Sequence, residues 1–186
     1  MRKIIFALAL CTIFVVSCKK EKKEPAKEVE ETVSVEVKKL KLKLEPKSNS
    51  NVSGSVVFAE EDGKVSMTAV MSGLTPGSHA IHLHEKADCS LEDGTSTGGH
   101  WNPTSEPHGK WGASEGYHKG DIGNFEADEK GNGTITFTTD QWCIGCGDPN
   151  KDIVGKAVIV HEGTDDFTTQ PTGAAGGRVS CGALIE

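Results

Sequence analysis

The chain has 186 residues, of which 25% are charged and 35% hydrophobic, enough for one ordinary soluble domain with appendages. With 22 glycines, few aromatic residues and no long helical pattern, it suits a turn-rich β protein better than a helical bundle. The formal net charge of -7 argues against a nucleic-acid partner, which would favour a basic patch.

The N-terminus reads as a targeting segment. Arg2 and Lys3 precede an apolar run over residues 4–16 that is too short to span a bilayer comfortably. A basic start and a short apolar core make a secretory signal. It ends in Val15-Val16-Ser17-Cys18, which resembles the box of a bacterial lipoprotein, where the Cys becomes acylated. Residues 1–17 are therefore expected to be a signal peptide, and residues 18–32 a Lys/Glu-rich solvated tether with lipidated Cys18. The expected location is extracytoplasmic, lipid-anchored to a membrane of a bacterial cell envelope. Residues 33–186 are expected to form the folded domain.

Within that domain the pattern alternates. Leu40, Leu42 and Leu44 are separated by lysines, the period-two signature of a half-buried strand. Strand-like runs follow at residues 52–59, 65–70 and 78–84, each bounded by Gly, Asn, Asp or Pro turns. Periodicity is lost from residue 89 to 119, where Gly, Pro, Ser and His accumulate. A loop this long is usually functional or tied down. Strand-like runs resume at residues 122–127, 134–138, 157–160 and 178–184. The expected fold class is all-β, an eight-stranded Greek-key β-sandwich or barrel of immunoglobulin-like kind, with a long metal-binding loop.

His82 and His84 stand at i and i+2 on a strand-like run, so both imidazoles point to one face and can converge on a metal. His100, His108, His118 and Asp121 are spaced through the irregular loop, and three imidazoles with one carboxylate make a sensible tetrahedral zinc set. His161 follows the apolar run Val158-Ile159-Val160. All seven histidines lie between residues 79 and 161, a clustering that scattered loop residues explain poorly. Outside the cytosol cysteines tend to pair. With Cys11 in the signal and Cys18 acylated, Cys89, Cys143, Cys146 and Cys181 remain, and four cysteines allow three connectivities.

Several motifs together resemble the copper,zinc superoxide dismutase family. They are Gly77-Ser78-His79-Ala80-Ile81-His82-Leu83-His84-Glu85, Gly99-His100-Trp101-Asn102-Pro103, His118-Lys119-Gly120-Asp121-Ile122-Gly123-Asn124, Val160-His161-Glu162, and residues 173–182 around Arg178 and Cys181. The resemblance runs from about Leu40 to the C-terminus. It implies that His82, His84, His100 and His161 bind copper and that His100, His108, His118 and Asp121 bind zinc, His100 being shared as a deprotonated bridge. It further implies an outer histidine at His79, a ligand-orienting carboxylate at Asp165, a channel arginine at Arg178 with Thr172 at the channel mouth, and a Cys89–Cys181 disulfide. The implied substrate is superoxide. One molecule reduces copper and leaves as dioxygen; a second reoxidises it and leaves as peroxide. His100 is implied to take a proton in that cycle.

Imidazole ligands suit copper, which must change oxidation state, whereas zinc has no redox chemistry and serves structure. Ala87, Trp101 and Ala174 depart from the family's usual residues without touching a ligand. Trp142-Cys143-Ile144-Gly145-Cys146 lies in a Gly/Pro-rich turn, and a small local disulfide is the favoured reading there. A homodimer is compatible with the sequence, but the stretch around residues 142–146 falls where eukaryotic members of the resembling family build a dimer contact, so their oligomer is not carried over. A non-catalytic metal carrier on the same fold is the competing reading; the complete ligand set and Arg178 favour the enzyme.

Overall fold

The computed structural model describes residues 37–185. The expected signal peptide, tether and acylated Cys18 lie outside the described residues. Eight strands follow in chain order: β1 (Lys38–Pro46), β2 (Ser53–Glu61), β3 (Lys64–Ser72), β4 (Gly77–His84), β5 (Gly123–Ala127), β6 (Gly133–Thr139), β7 (Ala157–His161) and β8 (Arg178–Ala183). Each expected run became a strand, with ends moved by one or two residues. Ile122 precedes β5 and Leu184 follows β8, yet both side chains are buried in the core.

The strands close in the order β1-β2-β3-β6-β5-β4-β7-β8 with antiparallel pairing throughout. Two seams are thin. β5 meets β6 only at Ala127↔Gly133, and β1 meets β8 only at Glu45↔Cys181 and Pro46↔Ser180. The barrel is thereby flattened into two four-stranded layers, β1-β2-β3-β6 and β5-β4-β7-β8, which reconciles the sandwich and barrel descriptions.

Period-two patterning assigns the inside. Leu42 and Leu44 of β1, Val56 and Phe58 of β2, and Val65, Met67, Ala69 and Met71 of β3 fill one core with Ile81, Leu83, Val158 and Val160. Burying side chains of this size contributes about 1.5–3 kcal/mol each. The described residues therefore close their own sheet, core and disulfides.

β4 is buried on both faces from His79 to His84. Ile81 and Leu83 point into the core, so His82 and His84 point to the outer face. That face would be solvated in a simple antiparallel barrel. Here the aperiodic segment between β4 and β5 covers it, held through Leu83 N–H to Gly120 O (2.9 Å), Trp101 N–H to Leu83 O (2.8 Å) and a bridge between His84 and His100.

Candidate metal centre

Three pieces of chain bring the histidines together. β4 supplies His82 and His84, the long loop supplies His100, His108, His118 and Asp121, and the end of β7 supplies His161. A register shift between Val160 and His161 in the β7–β8 pairing marks a bulge there. Bulges re-aim the side chain that follows them. All seven side chains are buried.

They form two groups, His82/His84/His100/His161 and His100/His108/His118/Asp121, and within each the potential ligand atoms lie within 4.8 Å of one another. His100 belongs to both. Its Nδ1 is 2.8 Å from Asp121 Oδ1, while its Nε2 faces the other group without a hydrogen-bond partner.

The remaining hydrogen bonds fix which nitrogen each ring presents. His82 Nε2 donates to Asp165 Oδ2 (2.9 Å), leaving its Nδ1 buried without a partner. His84 Nδ1 donates to Gly98 O (3.0 Å) and His161 Nδ1 to Gly176 O (3.3 Å), and their two Nε2 atoms face each other at 3.4 Å. Two neutral rings meeting through acceptor nitrogens repel unless a cation lies between them. In the second group His108 Nε2 donates to Asp165 Oδ1 (2.9 Å). The Nδ1 atoms of His108 and His118 stand 3.0 and 3.2 Å from Asp121 oxygens, yet neither makes a hydrogen bond. Buried polar atoms left unpaired are costly. Nitrogens converging on one point without a hydrogen bond to satisfy them have the geometry of a ligand set, so the residues present fit two metal ions.

Electrostatics support the same reading. Burial first, then the neighbouring imidazoles and Arg178, push His84 and His161 well below the usual histidine range. Burial also lowers His100 to about 4, against the pull of Asp121. These rings are neutral at neutral pH, as metal ligands must be. Burial opposes ionisation of Asp121, but the three imidazoles and the His118 N–H outweigh it and hold the carboxyl far below its usual range. His108 loses to burial as well, yet Asp121 and Asp165 together raise it to about 9.

Asp165 ties the two groups together through His82 and His108, and is itself fixed by Phe167 N–H (2.7 Å) and by a reciprocal pair with Asn124 (both 2.8 Å). Outer partners of this kind set tautomer and ring direction. His79 lies behind the site, its Nδ1 on His161 O (3.0 Å) and its Nε2 on Thr75 O (2.8 Å). Sequence reasoning missed Gln170, whose amide clamps the His108 backbone from both sides (2.8 Å each). No local pattern signals such a clamp. It also missed the carbonyls of Gly98 and Gly176, which orient His84 and His161.

Arg178 opens β8 beside this site. Its guanidinium donates to Gly94 O (2.7 Å), Thr97 Oγ1 (2.8 Å) and Gly98 O (2.8 Å), so it is half-buried and fixed in direction. Burial lowers its pKa, but a guanidinium stays charged. Thr172 is partly exposed in the segment before β8. Cys181 of β8 is bonded to Cys89, a span of 92 residues that pins the long loop to the last strand. The favoured local pair is present too, as Cys143–Cys146.

The sequence pattern of the family described as copper/zinc superoxide dismutase (SODC) matches residues 52–184. The chain is 40% identical over 146 residues to superoxide dismutase [Cu-Zn] 2 of Brassica juncea, covering 74% of this chain and 91% of that protein. Among solved structures it resembles a SOD-like protein from Bacillus subtilis, with 30% identity, 78% of this chain and 97% of that one covered, and a TM-score of 0.69. A double mutant of a SOD-like protein from that organism matches at 32% identity and a TM-score of 0.70, with the same coverage.

Proposed function

This chain belongs to the copper/zinc superoxide dismutase family, an oxidoreductase acting on superoxide with copper and zinc as cofactors, and from that premise we propose a role for each side chain of the centre. His82 Nδ1 and the Nε2 atoms of His84, His100 and His161 would hold copper. His100 Nδ1, His108 Nδ1, His118 Nδ1 and an Asp121 oxygen would hold zinc. The observation that carries this assignment is the unpartnered state of His82 Nδ1, His100 Nε2, His108 Nδ1 and His118 Nδ1 in a buried site.

When bound, copper supplies a one-electron couple that accepts an electron from one superoxide and returns it to another. The protein's own groups do the rest. Arg178 offers a fixed positive charge for a small anion next to His84 and His161. A pre-oriented cation adds no reorganisation cost when the anion arrives. His100 Nε2 is the atom positioned to hold a proton for the departing peroxide, with Nδ1 kept in place on the zinc side. Asp165 keeps His82 and His108 in the tautomers that both groups require.

The expected setting is the extracytoplasmic face of a bacterial membrane, with Cys18 acylated and the enzyme removing superoxide there. The apolar run over residues 4–16 and the Cys18 box support it. Several acyl chains on one Cys give stable anchoring.

The test is superoxide dismutation by residues 33–186, metal-free and reconstituted with copper and zinc, alongside His161→Ala. Copper-dependent turnover lost in the variant supports the assignment. Full metal occupancy without turnover contradicts it and favours a copper carrier. Intact mass after membrane extraction tests the anchor: an unmodified Cys18 would refute it.

A further inference from the structure

The outer face of the layer β1-β2-β3-β6 is unlike the rest of the molecule. Lys39, Lys41 and Lys43 alternate along β1 with Leu40, Leu42 and Leu44, and all three lysines are exposed. Strand geometry spaces them at about 7 Å intervals in one straight row. The register carries the row across the layer: Lys39 beside Ala59, Ser66 and Thr138; Lys41 beside Val57, Thr68 and Thr136; Lys43 beside Ser55, Val70 and Thr134. None of these twelve positions is acidic, although the chain carries a net charge of -7. Glu45 at one end and Glu61, paired across the hairpin with Lys64, at the other bound the face. Among the described residues no carboxylate lies within ion-pair distance of the three lysines. Val57 and Val70, 37% and 51% exposed, put methyl groups at its centre.

We propose that this face docks on an anionic lipid-headgroup surface. The choice of partner rests on the anchored reading of the N-terminus, and two observations point to it. The first is charge complementarity, since this basic face stands on an otherwise acidic domain. The second is connection: β1 is the first strand among the described residues, and Cys18 precedes Val37 by only 19 residues. A chain of that length reaches at most about 65 Å. A lipid on Cys18 would thus keep β1 at high local concentration near headgroups, adding to contacts that the lysines make without it.

Docking this way has a consequence for the enzyme. In the closed order β1-β2-β3-β6-β5-β4-β7-β8, β1 with its lysines lies opposite β5, and the β2–β3 middle of the same face, with Val57 and Val70, lies opposite the β4–β7 seam that carries His82, His84 and His161. A headgroup surface on the lysine face turns the metal centre outward, away from a negative surface that would repel superoxide.

The probe is vesicles of equal parts phosphatidylglycerol and phosphatidylcholine, with metal-loaded residues 33–186 at low salt. Each lysine near such a surface is worth about a fivefold gain in partitioning. The triple variant K39Q/K41Q/K43Q should therefore lose roughly a hundredfold. The control K110Q/K130Q/K151Q, which removes three exposed lysines off this face, should bind as the parent does. High salt should abolish binding, and pure phosphatidylcholine should not support it. Amine acylation read by mass spectrometry should show Lys39, Lys41 and Lys43 protected on the vesicles and Lys110 reactive. The proposal is overturned if the parent fails to bind, binds neutral vesicles equally, or binds anionic ones as well after the triple substitution. An unmodified Cys18 would sink the anchor alone, because the vesicle measurement uses no acyl chain.

Discussion

Gly173 is the position where a single methyl group should disturb both metal groups. Its φ is +66°, and a Cβ there would stand 1.8 Å from Asp165 Oδ1 and 2.6 Å from His108 Nε2. Neither atom can retreat freely, because Asp165 Oδ1 also accepts from Phe167 N–H and Oδ2 accepts from His82. Alanine at this φ costs about 1 kcal/mol or a little more in backbone strain. Displacing Asp165 sacrifices at least one charge-assisted hydrogen bond, each worth about 1.5–3 kcal/mol, and leaves its partner unpaired. Gly173→Ala should therefore destabilise the domain by about 4 kcal/mol. The control is Gly63→Ala in the β2–β3 turn, where φ is +71° but nothing lies within 4 Å of the added Cβ. It bears the same backbone strain without the collision, so about 1 kcal/mol is expected. Denaturant unfolding of both variants, with and without metals, gives the difference, and competition with a chelator reads metal affinity. Equal losses in the two variants, with unchanged copper and zinc retention in Gly173→Ala, would refute the reasoning.

Other predictions follow from the same contacts. Arg178→Gln should lower kcat/KM roughly tenfold and weaken its salt dependence while metal content is unchanged, with Arg178→Lys retaining part of the activity. By chain entropy, losing the Cys89–Cys181 bond through Ser substitution should cost about 4–5 kcal/mol for its 92-residue span, against about 2 for the three-residue span of Cys143–Cys146. The shorter loop is also braced by Asp152, which accepts from the N–H groups of Gly145 and Gly147, so calorimetry should separate the two pairs clearly. In the metal-free protein His100 is held near 4, so stability falls as pH drops below about 6.5, where the unfolded chain takes up the proton first. His108 is raised to about 9, so its contribution is complete below about 6.5 and lost as pH rises through 9. Metal-free melting temperature should peak between these slopes, and zinc uptake near pH 7.5 should release protons, measurable by calorimetry in buffers of different ionisation enthalpy.

Much of this was legible in the sequence because it is local. Alternation of Leu with Lys placed β1, and the i, i+2 spacing of His82 and His84 put both rings on one face. The rest depends on approaches between distant segments. Asp165 meets His82 across 83 residues and His108 across 57, and only the family resemblance pointed to it. The Gln170 clamp, the Gly98 and Gly176 carbonyls and the intolerance at Gly173 have no local pattern at all. The lysine row could be read along β1, but the lack of carboxylates beside it appears only once β2, β3 and β6 are in register. Strand ends moved by a residue or two because pairing, not propensity, sets them. The two thin seams that flatten the barrel left no mark in the sequence either.

The most direct test of the central claim is anomalous diffraction from crystals loaded with copper and zinc, recorded at the absorption edge of each metal. Copper among His82, His84, His100 and His161, zinc among His100, His108, His118 and Asp121, and His100 touching both is the predicted result. A single metal site, both metals in one group, or a His100 ring bound to neither would contradict the account.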